Sequence, residues 1–289
     1  MAEVVAPAFE EPRVPRLGGV RVFLENRAAT LGLALLALLV AITLLAPVLT
    51  PYAPLRGVAF PLRPPGLQHP MGTDDLGRDV FSGVLYGERA SLVVGFSASA
   101  IALVIGALIG SVAGYFGGVI DNLLMRVTEL FQVIPRIFLA ILLVALFGEH
   151  VAVTATAIGI LSWPPSARVL RAEFLARREM EYVLAAKVLG APTRHIIVRE
   201  ILPNAIAPMV VTASLNVGGA ILLEAGLAFL GLSDPNLPSL GRMLQESVQF
   251  LQAAWWMSVF PGLVVALLVL SMNLVGDGLN DVLNPRLRR

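Results

Sequence analysis

The chain has 289 residues, 57% of them hydrophobic and 14% charged, with a net charge of +1 and no Cys. The apolar share lies above that of soluble domains and the charged share well below it, which reads as a multi-pass membrane protein. The near-zero net charge removes the basic field that a nucleic-acid partner requires. The missing Cys excludes disulfides, Cys-ligated zinc, iron–sulfur clusters and thiol catalysis.

Residues 1–27 mix Pro, Glu and Arg without an apolar period, and predict a flexible tail ending in a short basic helix at 21–27. Residues 31–50, LGLALLALLVAITLLAPVLT, carry no charge. They reach the length of about 20 residues that crosses a roughly 30 Å hydrocarbon core. A cleaved signal peptide has an apolar core of about 7–15 residues, so this run predicts a retained membrane helix. The Pro-rich stretch 51–88 follows as a loop, in which Thr73 or Asp74 is expected to cap a short helix starting near Asp75. Asp74, Asp75 and Asp79 do not match a Ca²⁺ loop and are expected to be a solvated helix start.

A second span is predicted at 91–115, where Gly106, Gly110 and Gly114 recur every four residues. They leave a strip of bare backbone for close approach of another helix. Further spans are predicted at 130–147, 151–170, 205–227 and 254–276, joined by short links except at 51–88, 172–204 and 230–253. The expected fold is thus an all-α integral membrane protein of six helices. Fourteen of the 21 basic residues fall on the N-terminal side of the membrane in this scheme, five on the other side and two, Arg126 and Arg136, in or beside the third span. The positive-inside rule then puts both termini and the 172–204 loop in the cytoplasm, and loops 51–88 and 230–253 outside.

Recognisable catalytic chemistry is missing. A phosphate-cradling P-loop needs Lys between Gly and Ser or Thr, whereas the single Lys, Lys187, lies between Ala186 and Val188. His69, His150 and His195 occupy separate loops, so no metal site is expected, and neither an HExxH pair nor a GxSxG elbow occurs.

The charged stretch EYVLAAKVLGAPTRHIIVREILPN, residues 181–204, interrupts two apolar runs. Residues 179–189 predict a helix that Gly190 stops in the left-handed region. Pro192 opens a second short helix carrying Ile196, Ile197 and Val198 and ending at Pro203. Two short helices at an angle make either a knob offered to a partner or a loop packed on the protein's own inner face.

This stretch resembles the cytoplasmic signature of ABC-importer permeases, with Ala185, Ala186, Gly190, Leu202 and Pro203 at the signature positions. Leu184 and Glu200 replace the Glu and Ile often found there. The segments HPMGTDDLGRDVFSGVLYGERASLVVG, YFGGVIDNLLMR, EAGLAFLGLSDPNLPSLGRMLQE and AWWMSVFPGLVVALLVLSMNLVGDGLNDVLNPRLR resemble one branch, the dipeptide/oligopeptide/nickel permeases. Specifically, they resemble the second of that branch's paired permease subunits. Ser233, Leu240 and Arg136 depart from it, standing where Gly, Trp and an apolar residue are expected.

The resemblance implies a type I importer permease domain at 28–289, non-catalytic and without a bound cofactor, in a bacterial or archaeal plasma membrane. It implies four kinds of partner: a second permease, two cytoplasmic ATPases that hold ATP and Mg, an extracytoplasmic binding protein and the bilayer. Coupling to the ATPases would rest on Ala185, Ala186, Lys187, Gly190, Ala191, Pro192, Thr193, Arg194, Leu202 and Pro203. The implied cargo is peptide, with nickel, glutathione or another small solute as the alternative. A stand-alone secondary transporter is the competing class, but the paired broken spans such carriers show are not visible.

Arg126, Glu129, Gln132 and Arg136 are spaced by three, three and four residues, which on a straight helix gives one face about 15 Å long. Either part of that face lines the translocation path or the partner permease, or Arg126 pairs with Glu129 at the interface while Arg136 snorkels. Asn216 and Glu224, on the fifth span, are candidates for the outer gate, with a merely solvated Glu224 as the competing reading.

Overall fold

The computed structural model describes residues 16–283. The expected tail at 1–15 and the basic residues Arg286, Arg288 and Arg289 lie outside the described residues. Helix α1 (Arg16–Glu25) leads into α2 (Arg27–Leu44), whose N-terminus is capped by the Asn26 side chain accepting from the Ala29 N–H. The short α3 (Ala46–Leu49) finishes the expected first span. A long connection then reaches α4 (Val80–Phe116), which begins eleven residues before the expected second span. Its cap is Asp79, whose carboxylate accepts from the Ser82 N–H at 2.8 Å. The expected cap at Thr73 or Asp74 is therefore corrected, and the whole of the predicted loop end at 80–88 is helix.

The Gly strip does what its spacing predicts. A Cβ on Gly106 would meet the Ser166 Cβ at 2.6 Å, and one on Gly110 or Gly114 would meet the Ala167 carbonyl or the Phe174 Cβ at 2.5 Å. Those three partners lie along α8 (Pro164–Arg177), so α4 and α8 pack backbone to backbone.

The third and fourth spans are broken. Helices α5 (Gly118–Val133) and α6 (Arg136–Phe147) meet at 83°. Pro135 disfavours the helical region for the residue before it, and Ile134 is accordingly extended at ψ 126°. Next, α7 (Val151–Ser162) and α8 part at Trp163, where Pro164 and Pro165 have no N–H to continue the ladder. The expected fourth span ends at 170, whereas α8 runs on to Arg177.

After α9 (Glu181–Val188) and α10 (Thr193–His195) comes a π-helical segment, Ile196–Ile201, which runs directly into α11 (Leu202–Phe229). Pro203 thus sits in the first turn of α11, where its missing N–H is tolerated, and does not end the preceding helix. The expected loop 230–253 contains α12 (Leu240–Ser247), and α13 (Trp256–Leu283) closes the described chain. Among the described residues, four helical paths are long and apolar enough to cross a bilayer: α2, α4, Thr193–Phe229 and α13. The bent α5–α6 pair makes a fifth if counted as one span, while α7 alone has 12 residues.

Three main apolar clusters hold the bundle. Leu39, Val84, Ile221, Leu240, Trp256 and Leu268 join α2, α4, α11, α12 and α13. Val94, Ala140, Val144, Ile158 and Leu227 join α4, α6, α7 and α11. Leu170, Phe174, Val183, Ile196, Ile201 and Met209 join α8 and α9 to the π segment and α11.

Candidate functional site

The 181–204 segment is partly buried and partly exposed. Its base is built into the protein, because Val183, Ile196 and Ile201 are buried against Leu170 and Phe174. Its tip is not: Val188 and Leu189 are 87% and 86% exposed. Gly190 makes the turn at φ +78°, a left-handed conformation that glycine adopts without steric cost. The Ala191 N–H then bonds back to the Ala186 carbonyl at 3.0 Å, the closing bond of a glycine C-cap. Pro192 is the residue before α10 and not its first member. Lys187 donates to the Arg178 carbonyl at 3.3 Å and stands 5.6 Å from the Tyr115 ring centroid. Ala185, Thr193, Arg194 and Pro203 are exposed, whereas Ala186, Ala191 and Leu202 are half-buried.

The expected four-residue stripe does not survive the break at Pro135. Arg126 pairs with Glu129 at 3.0 Å on the exposed side of α5. Arg136 starts a helix set at 83° to α5, so it leaves that face. It meets two other candidates instead. With Asn216, Ser162, Ile137, Leu215 and Leu223 it lines an open cavity of about 480 Å³. With Gln132 it lines an adjoining hollow of about 290 Å³. Asn216 also donates to the Ser166 hydroxyl at 3.4 Å, linking α11 to α8.

Glu224 is not at a solvated outer surface, as one reading allowed, but 6% exposed. Its carboxylate accepts from Ser91 on α4 at 2.7 Å and from Ser239 at 3.2 Å. Burying a carboxylate is costly unless hydrogen bonds compensate, and these two hydroxyls supply them.

Other polar contacts join residues both near and far along the sequence. Arg171 on α8 makes a two-pronged ion pair with Asp121 on α5, the second contact at 2.6 Å. Arg78 pairs with Asp74 and, at 2.6 Å, with Glu246 of α12. His69 and Asp79 form a buried pair at 2.8 Å. Asp74 and Asp79 are thus buried and not the expected solvated start. Burial raises the pKa of the Asp74 carboxyl above its ordinary value, against the opposing hydrogen bonds and charge of Arg78. Trp256 Nε1 donates to the Thr73 carbonyl at 3.0 Å, tying this connection to α13.

Comparison with known proteins agrees with this architecture. A family described as "Binding-protein-dependent transport system inner membrane component" matches residues 106–289. "N-terminal TM domain of oligopeptide transport permease C" matches residues 19–65. The dipeptide transport system permease protein DppC of Alkalihalophilus pseudofirmus is 41% identical, covering 91% of this chain and 88% of that protein. DppC of Haemophilus influenzae is 37% identical, over 92% of this chain and 93% of its own length. The di/tripeptide transport system permease protein DppC of Pseudomonas aeruginosa is 38% identical, over 92% and 90%. With a family match over well more than half its length and such relatives along nearly all of it, this multi-pass membrane chain belongs to the inner-membrane components of binding-protein-dependent transport systems.

Proposed function

We propose that this chain is one of two permeases in an ATP-driven importer that takes peptides from an extracytoplasmic binding protein. In this reading six membrane crossings, α2–α3, α4, α5–α6, α7–α8, the path into α11, and α13, leave both termini and the 178–204 knob in the cytoplasm. Residues 28–289 form the permease domain, the loops around 51–79 and 230–255 face outward, and the chain itself catalyses no reaction. Two ATPase chains supply the ATP and Mg, and a second permease completes the path.

The observation that carries this reading is the exposed apolar tip, Val188 and Leu189, on a base anchored in the core. An isolated surface loop gains nothing from holding two aliphatic side chains out on a rigid helix end, whereas a docking knob does. Force applied at the tip reaches α8 through Phe174 and Leu170, and α11 through Ile201 and Met209. Those helices carry Ser166 and Asn216, which touch beside the Arg136 cavity, so moving the knob moves the cavity walls.

The test uses the Cys-free background. Val188→Cys in the assembled complex is expected to cross-link to an ATPase chain that co-purifies with it. Uptake of peptides into vesicles is expected to require ATP. Absence of any ATPase chain from the purified complex, or peptide uptake by this chain alone, would overturn the proposal.

A further inference from the structure

The cavity between α6, α7 and α11 holds a charge that nothing among the described residues balances. Arg136 is exposed to it and makes no ion pair among the described residues, and no acidic side chain lines it. Arg126 and Glu129 satisfy each other elsewhere. Glu224 lies eight residues beyond Asn216, about 12 Å along α11 at 1.5 Å per residue, and is held by Ser91 and Ser239.

Arg136 stands at the start of the 12-residue α6, about 16.5 Å from Phe147 at the helical rise, and the six-crossing reading above puts that position inside a hydrocarbon core about 30 Å thick. A charged side chain there is expected to face a water-filled cavity or a counter-charge. A cation at a helix N-terminus opposes the helix dipole, so the position gains from an anion set in front of it.

A second, independent feature points the same way. Ser162, which lines the cavity, is 6% exposed, yet its hydroxyl makes no hydrogen bond among the described residues. That hydroxyl is not sealed in protein: it reaches the open cavity and is free to donate to a group held there. The amide of Asn216 adds a further donor on the opposite wall. The remaining lining, Ile137, Leu215, Leu222 and Leu223, is aliphatic and suits side chains of varied shape.

We propose that Arg136, Ser162 and Asn216 form a carboxylate-binding site in the translocation path, which takes the free C-terminal carboxylate of a peptide in transit. This rests on the peptide-import reading above and names the end of the peptide that is recognised. One guanidinium matches one carboxylate, its planar fork suits bidentate pairing, and the hydroxyl and amide complete the donor set. The peptide's amino end meets no carboxylate here, so an N-acetylated peptide is bound as well as a free one.

The test is occupancy of the cavity in the assembled complex. Gly219 lines it, with no atom within 4 Å of where its Cβ would be, so Gly219→Cys supplies a labelling site for a maleimide in this Cys-free chain. A mixture of di- and tripeptides with free carboxyl ends is expected to slow labelling roughly tenfold, as the N-acetylated mixture does, and the C-amidated mixture is not. In the Arg136→Gln background that protection is expected to vanish, and in Arg136→Lys to persist in part. The site is overturned by absent protection, by equal protection from acid and amide, or by protection that ignores Arg136→Gln. It is also overturned if Arg136→Gln releases the partner permease, which would make Arg136 an interface residue. ATP-dependent peptide uptake by the parent complex, measured alongside, separates the two readings. Uptake with the wrong protection pattern sinks only this site, whereas no uptake sinks the import reading and the site with it.

Discussion

Ser91 Oγ on α4 and Ser239 Oγ ahead of α12 donate to opposite oxygens of Glu224, at 2.7 and 3.2 Å. One buried carboxylate therefore fastens α11 both to α4 and to the segment that turns into α12. Glu224→Ala leaves two buried hydroxyls without their acceptor and opens a void beside a small existing cavity of about 20 Å³ lined by Glu224, Ser239 and Asp234. The expected loss is about 2–4 kcal/mol of stability, read as a lower unfolding temperature of the complex in nanodiscs. Glu224→Gln retains one acceptor and is expected to lose about half as much. Equal stability of all three proteins would show that the contacts do not hold the segment.

The α4–α8 contact yields a sharper expectation, because glycine is required there by space and not by dihedral angle. Gly110→Ala places a Cβ 2.5 Å from the Ala167 carbonyl, a backbone atom that cannot yield without moving α8. Overpacking of this kind costs about 1–3 kcal/mol. Gly219→Ala, with nothing within 4 Å, is the control and is expected to be neutral in unfolding temperature. If the two variants melt alike, the helices are not in contact along the Gly strip.

That strip shows which parts of the fold could be read from the chain. A spacing of four puts Gly106, Gly110 and Gly114 on one face whatever they pack against, so the sequence alone carries the close contact. The same reasoning applied to Arg126, Glu129, Gln132 and Arg136 went wrong, because it assumed a straight helix through Pro135. Hydropathy does not register an 83° bend. The Ile-Pro dipeptide at 134–135 was the available signal, since residues before Pro avoid the helical region. At Trp163, which keeps helical angles, the signal was the pair of prolines that follows, neither of which has an N–H for the ladder. Glu224 looked solvated because burial of a carboxylate depends on hydroxyls 133 residues before it and 15 after it. The 181–204 stretch was more legible, since its helix, glycine turn and exposed tip are set by neighbours in sequence.

The ion pair between Asp121 and Arg171 joins α5 to α8 across 50 residues. The Asp121 side chain is 10% exposed and that of Arg171 33%, so the pair is neither fully screened nor fully dry. A double-mutant cycle with Asp121→Asn and Arg171→Gln is expected to give a coupling of roughly 1–3 kcal/mol in unfolding free energy. Additive effects would mean the pair contributes nothing beyond its separate contacts.

Gly190 tests the lever directly. Its surroundings are open, with no atom within 4 Å of a Cβ, so any effect of substitution comes from the backbone and not from a clash. At φ +78° an Ala costs about 1–2 kcal/mol, enough to favour rotation of the turn and re-aim Val188 and Leu189. Asn tolerates this region better than Ala and is expected to fall between the two. The useful quantity is peptide imported per ATP hydrolysed by the reconstituted complex. If the knob transmits motion, that ratio falls in the order Gly190, Asn, Ala while the unfolding temperature of the bundle stays nearly constant, because Gly190 itself packs against none of the apolar clusters. A ratio that stays constant while only the unfolding temperature drops would assign Gly190 to stability and remove the mechanical role of the turn.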